Sequence, residues 1–241
     1  MRQTFKILLF TLCVSITSNA QQKEHLSGFG TISLTYKFDK NWYTYLETQG
    51  RSIADFGKID YYEIKGGTGY TFNGSNQAFV GLGRYANYTN SKLSREELRV
   101  WLQYVYSKFV SKLKIEQRVR AEKRFFHNPV TDVNTNSERF RYRLNLILPL
   151  NNPKIEPKTF FANTYGELFL TTDHPTISRN RLFAGGGYQF SNSVGMSLGY
   201  LFQRDFNVKN TNTHFLFCGL NFIIDRSKSA QPSHIVTPDA D

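Results

Sequence analysis

Residues 112–125, KLKIEQRVRAEKRF, place Lys112, Lys114, Glu116, Arg118, Arg120, Glu122 and Arg124 at every second position. Between them stand Leu113, Ile115, Val119, Ala121 and Phe125, with Gln117 and Lys123 as exceptions. On a helix these charges would wrap round the whole surface; a period of two gathers them on one face. The segment is a strand with a charged side and an apolar side.

The same signature recurs along the chain. In 138–150, Arg139, Arg141, Arg143 and Asn145 oppose Phe140, Tyr142, Leu144, Leu146 and Leu148. In 96–107, Glu97, Arg99, Trp101 and Gln103 oppose Leu98, Val100, Leu102, Tyr104 and Tyr106. Glu47, Gln49 and Arg51 stand against Trp42 and Leu46, and Asn163, Tyr165 and Glu167 against Phe160, Ala162 and Leu168. Arg179 and Arg181 face away from Leu182, Ala184 and Tyr188. Glycine-rich strands near 66–72, 81–85 and 185–190 fill the gaps, since glycine admits bends and close neighbours in a barrel wall.

Eleven segments result, near 26–38, 41–51, 59–72, 77–88, 96–107, 111–125, 138–150, 158–170, 179–190, 193–207 and 212–224. Short links at 39–41, 73–76, 107–112 and 191–192 alternate with longer ones at 52–58, 89–95, 126–137 and 171–178. Short turns on one side and long loops on the other predict a transmembrane up-and-down antiparallel β-barrel, all-β, with the short side periplasmic. Bacterial single-chain barrels carry even numbers of strands, so twelve are expected, with ten as the alternative. Paired aromatics near segment ends, such as Tyr61 and Tyr62 or Tyr188 and Phe190, suit the two girdles of such a barrel. A mean hydropathy of −0.43 is compatible with this, because half of each strand faces a polar lumen.

The ends carry different information. Arg2 and Lys6, the apolar stretch 7–16, and Ser18 and Ala20 before Gln21 form a signal peptide over 1–20, cleaved on export. The barrel is then expected over 21–224, and 225–241, with serine, proline and charge but no periodicity, as a disordered tail. Cleavage leaves Cys218 alone, without an intrachain partner, as a small apolar residue in a strand. The formal net charge of +11 is spread over alternating strands of an exported chain, which argues against nucleic acid and for the phosphates of lipopolysaccharide. The expected location is the bacterial outer membrane, with its lipid and its insertion machinery as partners. Phe222 is the nearest aromatic to a terminal insertion signal.

An arginine or lysine on the lipid face at the midplane costs about 2–4 kcal/mol. The ladder of Glu97, Arg99, Glu116, Arg118, Arg120, Glu122, Arg124, Arg139, Arg141, Arg143, Glu167, Arg179 and Arg181 must therefore point inward, with Glu47 and Glu63 across from it. Two uses fit: a lumen stiffened by its own ion pairs, or a narrow pore or site for an anionic small solute. A rival class is an outer-membrane lipid or lipopolysaccharide hydrolase. It needs a nucleophile, a base and an orienting group within reach. Of His25, His127, His174, His214 and His234, His214 alone lies in a strand segment, and no serine shares its local face. A third class, a secreted soluble ligand-binding barrel, would put charges outside and normally has eight strands. No metal-ligand spacing, phosphate loop or nucleotide fingerprint is present, so neither enzyme activity nor a cofactor is expected.

The ordered motifs Glu97-Leu-Arg99-Val-Trp101-Leu-Gln103, Glu116-Gln-Arg118-Val-Arg120-Ala-Glu122-Lys-Arg124, Arg139-Phe-Arg141-Tyr-Arg143, Gly166-Glu167 and Arg179-Asn-Arg181 resemble an exported family known as a domain of unknown function, numbered 2490. The resemblance covers roughly 25–224. It implies an outer-membrane barrel of Bacteroidetes-type bacteria, and it brings no substrate or catalytic residue.

Overall fold

The computed structural model describes residues 25–52, 56–172, 176–206 and 210–227. The signal peptide expected over 1–20 and nearly all of the tail expected over 225–241 lie outside the described residues.

The chain winds up and down through eleven strands. They are β1 (His25–Lys37), β2 (Trp42–Ser52), β3 (Tyr61–Thr71) and β4 (Asn76–Thr89). β5 (Lys92–Val110), β6 (Leu113–Asn128) and β7 (Val133–Pro149) are the longest. β8 (Thr159–Thr171), β9 (Ile177–Gln189), β10 (Val194–Asp205) and β11 (Thr211–Asp225) complete the wall. Each strand pairs with its sequence neighbour, and β1 pairs with β11 to close the barrel.

The eleven segments read from the sequence are these eleven strands, so the expected even count of twelve, or ten, is corrected. The physical consequence sits at the closure. After an odd number of reversals the last strand points the same way as the first, so β1 and β11 pair in parallel, Gly30 opposite Cys218 and Leu34 opposite Phe222. Every other pair is antiparallel. β11 runs to Asp225, one residue past the expected barrel end, where Asp225 meets Lys37 of β1 at 3.2 Å.

Two expected long loops are largely strand. β4 and β5 are joined by Asn90 and Ser91 alone, both at positive φ (51° and 62°), the conformation of a tight hairpin turn. A bulge at Asn87/Tyr88, where the Ser94 hydroxyl donates to the Asn87 carbonyl at 3.0 Å, re-aims that hairpin. β6 and β7 likewise extend until residues 129–132 suffice to connect them. On the opposite rim, called the turn end here, 38–41, 72–75, 111–112 and 190–193 are short, but 150–158 is not. The rim carrying 53–60, 172–176 and 206–210 is the loop end.

Alternation decides which side chain goes where. Ile64, Leu82, Leu98, Leu102, Leu182, Leu198 and Leu216 point outward, with Leu102 66% and Leu82 61% exposed. Aromatics band the wall toward both rims. Trp42 packs on Tyr70 (4.9 Å) and Tyr188 on Phe190 (4.9 Å) at the turn end, and Tyr62 on Tyr88 (5.7 Å) at the loop end.

The interior has two sectors. Behind the seam lies an aromatic cluster of Phe29, Tyr165, Phe183, Leu201, Phe215 and Phe217. Phe29 of β1 meets Phe215 and Phe217 of β11 edge-on at 5.7 and 5.3 Å, pinning the parallel pair from within. Room for inward rings comes from facing glycines: Gly81 lies under Trp101 and Gly199 under Phe183, where a Cβ would sit 2.3 and 2.4 Å from the rings. The second sector, across β2–β10, is charged.

Candidate functional site

The thirteen acidic and basic residues expected to line the lumen all lie on inward positions. Glu97, Arg99, Arg118, Arg120, Glu122, Arg139, Arg141, Arg143, Glu167 and Arg181 are buried. Glu116, Arg124 and Arg179 keep 14%, 16% and 27% of their side chains exposed. Glu47 and Glu63 are buried with them.

The strand register brings these groups together around a few carboxylates. Arg139 pairs directly with Glu122 across β6–β7, and Arg143 with Glu167 across β7–β8. Glu122 lies 2.5 Å from Arg139, 3.0 Å from Arg141, 3.6 Å from Arg120 and 3.9 Å from Arg99. Glu167 lies 2.7 Å from Arg118, 2.9 Å from Arg141 and 2.8 Å from Arg143. Arg141 thus bridges the two acids, and none of the three side chains is exposed. Nearby, Glu97 accepts from Arg99 Nε at 2.7 Å and from Arg124 Nε at 2.8 Å.

A second knot joins β2 and β3. Lys65 Nζ lies 2.9 Å from Glu47 and 2.7 Å from Glu63, while Arg51 reaches Glu63 at 3.2 Å. Tyr61 donates to Glu63 at 2.6 Å, and Tyr45 is hydrogen-bonded to Glu47. A third joins β9 and β10: Arg179 Nε donates to Asp205 at 2.5 Å, Arg181 Nε to Gln203 at 2.9 Å, and Gln203 to Asp205 at 2.6 Å.

Aromatic faces back the guanidiniums beside their carboxylate partners. Phe169, with no exposed surface, has Arg139, Arg141, Arg179 and Arg181 at 5.0, 4.5, 5.6 and 5.1 Å from its ring centre. Arg99 stacks on Tyr85 at 3.7 Å and Arg143 on Tyr165 at 4.3 Å.

Sequence reasoning missed Lys65, Tyr85, Phe169 and Asp205. Phe169 was within reach, since period two carries the face of Tyr165 and Glu167 on to it. Tyr85 gives no such signal, because an inward tyrosine among glycines looks the same as an outward one.

His214 is outward-facing on β11, hydrogen-bonded with Tyr200 and 5.3 Å from the Phe202 ring. No serine or carboxylate stands in these contacts. Among the described residues no group of three or more His, Cys, Asp or Glu could hold a metal ion. What the interior can do chemically is pair buried charges across neighbouring strands.

These features define a class: a closed β-barrel that folds its charges inward and turns its aliphatic side chains out. The chain belongs to the family described as "Protein of unknown function (DUF2490)", whose model matches residues 27–214. No curated protein matches it.

Proposed function

We propose that this chain is an integral outer-membrane β-barrel with a sealed, ion-paired interior, exported by its 1–20 signal peptide. The observation that carries the reading is the inversion of sides. Outward aliphatic residues form a belt between aromatic bands, while ten cationic side chains are buried inside. In water such a belt would far exceed the few hundred Å² of apolar patch that soluble proteins expose. In a bilayer it is the lipid contact, and the bands sit at the two interfaces. A soluble ligand-binding barrel requires the reverse arrangement.

The partners that follow are membrane lipid and lipopolysaccharide on the wall, and the insertion machinery during assembly. The role is structural rather than conducting, a reading supported by the inner face of β6–β8, where Arg141, Glu122 and Glu167 have no exposed side-chain surface. The hydrolase alternative draws no support from the surroundings of His214.

Fractionation tests the location: the protein is expected to sediment with outer membranes and to migrate differently in gels before and after heating. A folded protein that stays dissolved without detergent sinks the proposal. Planar-bilayer recording tests the seal, and a steady anion current through the wild-type barrel would overturn it.

A further inference from the structure

The outer wall of a closed barrel is convex, yet this one carries a hollow of about 720 Å³. Outward residues of seven consecutive strands line it, from Trp42 at the start of β2 to Leu170 near the end of β8. Trp42 stands at the turn end and Leu170 at the loop end, so the hollow crosses the apolar belt obliquely. Gln103 and Arg120, each between two outward residues of its strand, border it as well, so it reaches down to the sheet itself. It is a groove between two rows of side chains.

Two of the outward positions along it are alanine. Ala78 is registered with Tyr70 on one side and Tyr104 on the other. Ala121 is registered with Leu102 and Phe140. Each leaves a gap that a larger side chain would fill, and the lining is almost wholly apolar. The volume falls within the roughly 300–1,000 Å³ of sites that hold small molecules.

The two ends of the groove differ in charge. At the turn end the exposed Lys40 stands two residues before Trp42, and the exposed Lys108 four residues beyond Tyr104 on the outward face of β5. Neither forms an ion pair among the described residues, and the Asp39 carboxylate beside Lys40 is already held by the Asn41 and Trp42 amides. Toward the loop end the outward charges are matched, Lys123 with Glu138 at 3.1 Å and Arg84 with Glu96.

We propose that this groove seats one acyl chain of an anionic glycerophospholipid, with its headgroup at the turn end beside Lys40 and Lys108. A chain lying in the groove meets side chains on both flanks as well as the sheet beneath, whereas on a convex wall it meets one surface. Charge sets its direction, because unpaired lysines at the membrane surface attract an anionic headgroup and matched pairs do not. The seat rests on the membrane reading above and deepens it: with the short turns periplasmic, the lipid belongs to the inner leaflet.

The test uses the full mature chain refolded in detergent, with folding checked by gel migration and phosphatidylglycerol carrying brominated chains titrated in. Bromine quenches tryptophan on contact, and of the two tryptophans Trp42 lines the groove while Trp101 is buried inside. Quenching is expected to saturate near one lipid per barrel and to vanish in Trp42→Phe. Bromine near the headgroup should quench more than bromine near the chain end. Phosphatidylcholine with the same chains should bind about fivefold more weakly, the effect of one lysine on an anionic headgroup, and Lys108→Gln should narrow that gap. Ala121→Phe and Ala78→Phe fill the groove from two positions and should each abolish the saturable phase. Leu198→Phe, outward on β10, should leave it intact. Quenching of the wild type that only rises in proportion to lipid would overturn the seat and leave the membrane reading standing. A folded barrel that stays dissolved without detergent would overturn both. The seat is also overturned if lipopolysaccharide but not unlabelled phosphatidylglycerol relieves the quenching, if the order of the bromine positions is reversed, or if Ala121→Phe acts only by breaking up a dimer of this chain.

Discussion

Arg141 and Glu167 meet at 2.9 Å on the inner face of the barrel with neither side chain exposed, and the same Arg141 reaches Glu122 at 3.0 Å. One residue on β7 therefore ties together the acids of its two neighbouring strands, β6 and β8.

Removing one partner of such a knot leaves the other charges buried and uncompensated. Glu167→Gln, which keeps the shape, should lower unfolding stability by about 3–5 kcal/mol, read from urea denaturation in detergent. Glu138→Gln breaks the outer pair with Lys123, 3.1 Å apart and about half exposed, and should cost under about 1 kcal/mol. Equal effects would mean that the inner network is not load-sharing.

The parallel seam makes a register prediction. Gly30 faces Cys218, and a Cβ at Gly30 would meet nothing nearer than the Gly50 carbonyl at 3.9 Å. Gly30→Cys should form a disulfide with Cys218 under mild oxidant, since neighbouring strands put Cα atoms within the roughly 4.4–6.8 Å that a disulfide spans. Gly28→Cys, registered with Leu216, should cross-link far less. The reverse ranking would refute an eleven-stranded closure.

Gly81 accommodates the Trp101 ring, with a Cβ position 2.3 Å from Trp101 Cζ2. Gly81→Ala should destabilise the barrel by about 1–3 kcal/mol through overpacking. Combined with Trp101→Ala the two losses should fall short of additive, because the second removes the clash.

The outer belt predicts a depth profile. Leu82→Arg, in the middle of β4, should cost about 2–4 kcal/mol in lipid vesicles, against roughly 0–1 for Phe38→Arg at the turn end. A flat profile would argue against a bilayer around the wall.

At the β1–β2 turn the Asp39 carboxylate accepts from the amides of Trp42 at 2.8 Å and Asn41 at 2.7 Å, which hold its pKa below the ordinary value of 3.8. A carboxyl group depressed in the folded state contributes stability above its unfolded pKa and loses it as pH falls through the folded one. Protection of the Trp42 and Asn41 amides from hydrogen exchange should hold at neutral pH and fade under acid. In Asp39→Asn that acid dependence should disappear.

Strand positions and sidedness were legible wherever a polar face opposed an apolar one. Arg139, Arg141 and Arg143 could be assigned inward because every second residue is charged and an outward guanidinium is costly in lipid. Around β1, β10 and β11 the contrast fails. Phe29, Phe215 and Phe217 point in while Leu216 and Cys218 point out, so both faces are apolar and period two has nothing to sort. The hairpin at Asn90–Ser91 was hidden for another reason: polar residues that signal a loop also suit strand rims standing in water.

By itself, the order of residues determined that this chain makes alternating strands and which side of most strands carries charge, while the expected count of twelve gave way to eleven. The closure belonged to tertiary structure alone. Whether eleven strands leave an edge or meet in parallel depends on contacts between residues nearly two hundred positions apart, such as Phe29 with Phe217. So does the sharing of Glu122 and Glu167 among arginines of three strands, because a local pattern sets the face of a side chain but only register sets its neighbour.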